Sequence, residues 1–299
     1  MTLRAIFVGP GGLRAGWKFT IFSILAIMGS GGLEWAVVTA SGYKPARGWV
    51  ATDFILSESL SFLAVLGVTA LLARLTKRRL REYGFGDARR APGLWLAGLV
   101  WGFAMVAILF LMIMALGGAS ADGWALHGSE LARFAILWAV AMVLLGLFEE
   151  SLFRGYPLVT LSEGMGIWPA AILLSFLFGA IHYFTKPMES VLDAVNVGLI
   201  GLWTCLAFRR TGSLWLVAGF HAAFDFAALV LLGAPNTSNE GKPIATHLLA
   251  TSFHGPAWLT GGPCGMEASA LALPVVGLAF LLLPLLHRGP SGEAATLDA

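Results

Sequence analysis

The stretch Gly146-Leu147-Phe148-Glu149-Glu150-Ser151-Leu152-Phe153-Arg154-Gly155 sets two carboxylates and a guanidinium inside a run that otherwise has the character of membrane-buried helix. Upstream, nothing charged follows Arg133 until Glu149; downstream, Leu158, Val159 and Leu161 continue the apolar pattern. Ionisable groups at such depth cost several kcal/mol each unless they are paired or face a wet cavity, so their default meaning is a functional site. On a helix Glu150 and Arg154 are i and i+4 with the acid first, the favourable order for an ion pair. Glu149 lies about 100° round the helix and is harder for the same arginine to reach. One carboxylate is therefore expected to be neutralised locally, leaving the other for chemistry. The plainer alternative is a structural ion pair that ties helices together.

Composition fixes the setting. The chain is 58% hydrophobic and 12% charged, with a mean hydropathy of +0.80. Those values exclude a soluble globular domain and predict a single all-α integral membrane domain over 1–299. Its 37 glycines suit close helix approach in lipid. The two cysteines, Cys205 in an apolar segment and Cys264 in a loop, form neither a disulfide framework nor a metal site.

About eight segments are apolar enough to span: 17–39, 54–73, 93–117, 132–162, 167–185, 190–208, 213–233 and 268–286. The fourth is long for one crossing and must tilt or let its C-terminal end leave the membrane. Arg14 and Lys18 ahead of the first segment imitate a signal peptide, but its length and Glu34 argue against one. The connector between the second and third segments holds Arg74, Lys77, Arg78, Arg79, Arg81, Arg89 and Arg90. With it in the cytoplasm, both termini lie inside, as do Arg4, Arg14, Lys18, Arg154, Arg209, Arg210 and Arg288. Only Lys44, Arg47, Arg133, Lys186 and Lys242 remain outside. Residues 234–267 then form a long non-cytoplasmic loop, a potential lid, whose His247 and His254 are ordinary loop residues; 289–299 are a flexible tail. No internal repeat, nucleotide loop or zinc spacing is present, and no nucleic-acid partner is expected.

Other polar residues converge on the same depth. Glu149 lies about 16 residues before the turn at Gly164-Met165-Gly166 and His182 about 17 after it, roughly 24 Å along each arm of a helical hairpin. They can therefore meet, in the outer half of the membrane. His221 and Asp225 are i and i+4 and share a face; an internal His–Asp pair is the plainer alternative. Asn196 faces the bundle interior, where such residues commonly join helices. A Glu, His, His and Asp set supports two chemistries. A carboxylate and an imidazole can activate water for attack on a carbonyl while other groups stabilise the oxyanion, or the set can bind zinc. The lack of a His-Glu-x-x-His motif weighs against zinc.

Glu149-Glu150-x-x-x-Arg154, Phe178-x-x-x-His182 and His221-x-x-x-Asp225 resemble, in order and on successive spans, the three motifs of the CAAX-protease and bacteriocin-processing family of intramembrane proteases. The resemblance covers about residues 80–235. It implies an intramembrane glutamic endopeptidase without metal or cofactor, acting on a membrane-associated protein or peptide in a lipid bilayer, here a bacterial inner membrane. By it, Glu149 and His182 activate water, His221 and Asp225 form the oxyanion site, and Glu150, Arg154 and Phe178 support them. The family commonly has Asn at the last position. An ionised Asp225 would repel an oxyanion, so its carboxyl must be protonated, which burial favours, or serve His221. A zinc-dependent protease and a non-catalytic scaffold or immunity-type protein are the alternatives.

Overall fold

The computed structural model describes residues 6–10, 12–46, 48–86 and 88–286; the tail expected to be flexible lies outside them. The chain is a helical bundle: α1 (Ala15–Ser41), α2 (Ala51–Leu75), α3 (Ala91–Ala115), α4 (Gly128–Glu150), α5 (Tyr156–Met165), α6 (Ile167–Thr185), α7 (Val191–Thr211), α8 (Leu214–Asp225), α9 (Ala257–Thr260) and α10 (Ala272–Leu282). A short hairpin, β1 (Val8–Gly9) with β2 (Gly12–Leu13), precedes α1. An antiparallel pair, β3 (Ala119–Trp124) with β4 (Leu249–Phe253), ties the loop after α3 to the long loop before α10.

Among the described residues seven helical stretches are long and apolar enough to cross a membrane, so the polytopic all-α expectation holds. The eighth expected span is shorter than its apolar run. Gly261, Gly262 and Gly265 adopt positive φ (82°, 58° and 92°), and 3-10 turns occupy Gly262–Cys264 and Met266–Ala268. What remains, Ala272–Leu285, reaches roughly 21 Å at the helical rise, short of a ~30 Å core.

The fourth segment is not one straight helix. Gly128–Met165 is interrupted by a π-helical turn over Ser151–Gly155, immediately after the two glutamates. Gly155 takes ψ −116°, which closes the turn, and Pro157 sits in the first turn of α5, where its missing N–H costs nothing. α5 does not leave the bundle. Tyr156 to Ser162 are all buried, α5 packs on α1 and α6, and Glu163 pairs with Arg78 of the basic connector. A second π-helical turn, Phe226–Leu231, follows Asp225.

α8 with the π-turn that follows it is the axis of the bundle: 72% of Leu214–Leu231 is buried, against 11% of the apolar window of α1. Small residues allow this. A Cβ on Gly98 of α3 would lie 2.1 Å from the Leu216 carbonyl oxygen, and one on Gly102 2.4 Å from that of Phe220. Backbones touch there, a contact only glycine permits. On its other side α8 packs against α4, and the face between them carries His221 and Asp225 towards Glu149 and Glu150.

Candidate active site

The site has a buried floor. Arg154 and Glu150 are each about 1% exposed, with Arg154 Nη1 3.3 Å from Glu150 Oε1. The i,i+4 pair expected from the sequence thus survives the π-turn between its members. The Arg154 guanidinium lies 4.7 Å from the Phe178 ring centroid and 5.6 Å from that of Phe153, a stacking that offsets part of its desolvation. Gly201 of α7 leaves the room: a Cβ there would stand 2.8 Å from Arg154 Nη2. Phe178 is therefore a wall of the arginine's pocket.

Glu150 has a second partner. His221 Nδ1 donates to Glu150 Oε1 at 2.8 Å, because a carboxylate hydrogen-bonded to an imidazole nitrogen accepts. That leaves His221 Nε2 facing Asp225 Oδ2 at 3.3 Å and Glu149 Oε2 at 3.8 Å. The acid expected to serve only as the arginine's partner also orients the histidine. The Asp225 carboxyl meets His221, the second of the two roles the sequence left open for it.

His182 comes from α6. Its Nδ1 donates to the Phe178 carbonyl oxygen at 2.9 Å, since a carbonyl can only accept, so Nε2 of the neutral ring holds the lone pair. Its ring centroid lies 4.6 Å from that of Phe178. Glu149, Glu150, Arg154, Phe178, His182, His221 and Asp225 all line one cavity of about 270 Å³. The hairpin and i,i+4 arguments thus brought the expected residues together. Asn196 is the exception. Fully buried on α7, it donates to the carbonyl oxygens of Glu267 (2.7 Å) and Ser269 (3.3 Å) and anchors the long loop without lining the cavity. Its place near the start of α7, at the level of the loop, is the physical reason.

Sequence reasoning missed several lining residues: Glu58 of α2, Lys186 at the end of α6, and Trp49, Asn236, Ser238 and Glu267 of the loops. Glu58 was findable, being a charge inside an apolar span. So was Lys186, which continues the 178, 182 spacing by one more turn. The loop residues arrive through tertiary packing alone. On the loop side of the cavity, burial raises the Glu267 carboxyl to about 7, with Lys186 pulling it down and Asp225 and Glu189 pushing it up. Burial also raises Glu189, opposed by the Thr237 hydroxyl that donates to it. Among the described residues no three His, Cys, Asp or Glu side chains are arranged to hold a metal ion.

A carboxylate and an imidazole in a shared cavity, over an anchored ion pair, can activate water and move protons. A family model of type II CAAX prenyl endopeptidase, Rce1-like, matches residues 131–227, which contain all three motifs. No curated protein and no solved structure matches the chain.

Proposed function

We propose that this integral membrane protein, whose residues 131–227 match a family model of Rce1-like type II CAAX prenyl endopeptidases, hydrolyses a peptide bond of a membrane-associated protein or peptide. The observation that carries the reading is the unequal placement of two adjacent acids. The Glu150 side chain is 2% exposed and held by Arg154 and His221, whereas that of Glu149 is 22% exposed, its nearest ion-pair partner His221 Nε2 at 3.8 Å. Glu149 is the general base, with His182 Nε2 as the second acceptor for the attacking water. His221, oriented by Glu150 and Asp225, passes protons beside it. In-line support of this kind from a positioned base is worth about 10²–10⁴ in rate.

The protein works in a bacterial inner membrane with both termini in the cytoplasm. The basic connector and the Gly164–Gly166 turn then lie inside. In this reading the loop residues that line the cavity, 49, 236, 238 and 267, lie on the opposite side. Catalysis uses no metal. The test is purified protein in liposomes with an anchored peptide library, cleavage products being identified by mass spectrometry with and without a strong chelator. Fragments that persist in chelator support the reading. Fragments lost together with one equivalent of zinc would turn it into a metalloprotease, and an absence of fragments would reject it. The orientation of these loops is read by impermeant thiol labelling of Ser238→Cys, an exposed loop position, in a Cys205→Ala, Cys264→Ala background. Labelling in intact cells is the expected result.

A further inference from the structure

Water addition to a carbonyl creates an oxyanion, and the motif residues offer no uncommitted cation for it; the remaining donors of the lining, Trp49, Asn236 and Ser238, are neutral and come from the loops. Arg154 is sealed in the floor against Glu150 and Phe178. Both nitrogens of His221 face carboxyl oxygens. His182 uses its N–H on the Phe178 carbonyl, and the Thr204 hydroxyl donates to the Gly201 carbonyl at 3.0 Å. Asp225 adds a carboxyl where the family's Asn would supply an amide N–H. A site of this composition stabilises positive charge better than the negative charge that the reaction develops.

Lys186 corrects the imbalance. It lines the same cavity as the C-cap residue of α6, its backbone N–H donating to the His182 carbonyl oxygen at 3.1 Å. Among the described residues its ammonium forms no ion pair or hydrogen bond, yet it lies within electrostatic reach of Glu149 and His182.

We propose that Lys186 is a further catalytic residue, whose ammonium group stabilises the oxyanion formed when water adds to the scissile carbonyl. The inference rests on the endopeptidase reading. As the water oxygen bonds to the carbonyl carbon, the C=O π pair moves to oxygen and Glu149 takes the water's proton. Lys186 donates a hydrogen bond to the new anion without giving up its proton. On collapse the pair returns, the C–N bond breaks, and the proton on Glu149 passes to the leaving nitrogen. The products are a carboxylic acid and an amine. The competing role for a lysine here is to offset the dipole at the C-terminus of α6.

The experiment compares wild type, Lys186→Met and Lys186→Arg, full length in liposomes, on one anchored peptide that the wild type cleaves. Two inhibitors accompany it: a phosphinate peptide that mimics the tetrahedral anion and a reduced-amide peptide that lacks the oxyanion. Lys186→Met should lower kcat by about 10²–10³ and weaken the phosphinate in parallel, while KM and reduced-amide affinity change little. Lys186→Arg should restore at least about tenfold of the loss. A dipole role would lower thermal stability and leave the phosphinate preference intact. Near-normal kcat in Lys186→Met, or equal loss for both inhibitors, overturns the proposal while the endopeptidase reading stands. If Lys186→Met does not accumulate, Lys186→Gln replaces it with the same criteria. A wild type as inactive as Glu149→Gln on every peptide overturns both.

Discussion

The floor and the mouth of the cavity are built from the same kinds of side chain and differ in how each is held. At the floor, Glu150, Arg154 and His221 Nδ1 form a chain of contacts at 2.8 and 3.3 Å that is about 1–2% exposed at its acid and its arginine. At the mouth, Glu149, His182, Lys186 and Glu267 are half-buried and line the cavity. A buried ion pair contributes little net stability against its desolvation but is costly to break, because the surviving charge is stranded. The floor therefore fixes geometry. The mouth, with uncommitted lone pairs and a lysine that forms no ion pair among the described residues, is free to meet a substrate. One residue separates the two behaviours: Glu149 and Glu150 are neighbours in sequence, turned about 100° apart on the helix.

Substitutions can break that contrast. Arg154→Ala leaves Glu150 with His221 alone in the buried floor and should destabilise by about 3–5 kcal/mol, read as loss of membrane accumulation or a large fall in Tm. Gly201→Ala should cost less, about 1–3 kcal/mol from overpacking, because its Cβ would crowd Arg154 Nη2 at 2.8 Å and Phe178 at 3.3 Å; the check is its Tm in detergent. If both leave Tm unchanged, the floor is not the rigid part. At the mouth the effect is smaller and depends on pH. Glu267 is raised to about 7 from its ordinary 4.5, so the folded state binds the proton more tightly than the unfolded chain. Stability from this group is present below about pH 4.5 and is lost as pH rises through 7. Glu267→Gln should therefore match wild type at pH 5 and exceed it at pH 8, by about 2–4 °C for each kcal/mol recovered. A constant difference across that range would contradict the environment described.

The motif residues were legible because their spacing translates directly into geometry. Four residues on a helix put Glu150 under Arg154 and His221 beside Asp225, and equal arms of a hairpin put Glu149 and His182 at one level. The π-turns after Glu150 and Asp225 were not legible, since an apolar run has the same composition whether its hydrogen bonds close at four residues or five. Nor was the short eighth span, where glycines in the preceding loop set the start of α10. The second role of Glu150 needed the packing of α8 on α4, which rests on small residues such as Gly146, whose Cβ would lie 2.8 Å from the Ala218 carbonyl oxygen. Lys186 continued a visible spacing, but only the cavity distinguishes it from a helix-terminal cation. Glu267 arrives from a loop that Asn196 holds in place, beyond the reach of any local pattern.

The most direct measurement sets Glu149→Gln beside Glu150→Gln in the same liposome cleavage assay, with Tm recorded for each. Glu149→Gln should lose about 10²–10⁴ of kcat/KM with Tm nearly unchanged, because its carboxylate has no partner nearer than His221 Nε2 at 3.8 Å. Glu150→Gln should lower Tm by several degrees, because it leaves the Arg154 guanidinium without its counter-charge. Near-normal turnover in Glu149→Gln, or an inactive Glu150→Gln of unaltered stability, would contradict the division of the two acids into base and anchor.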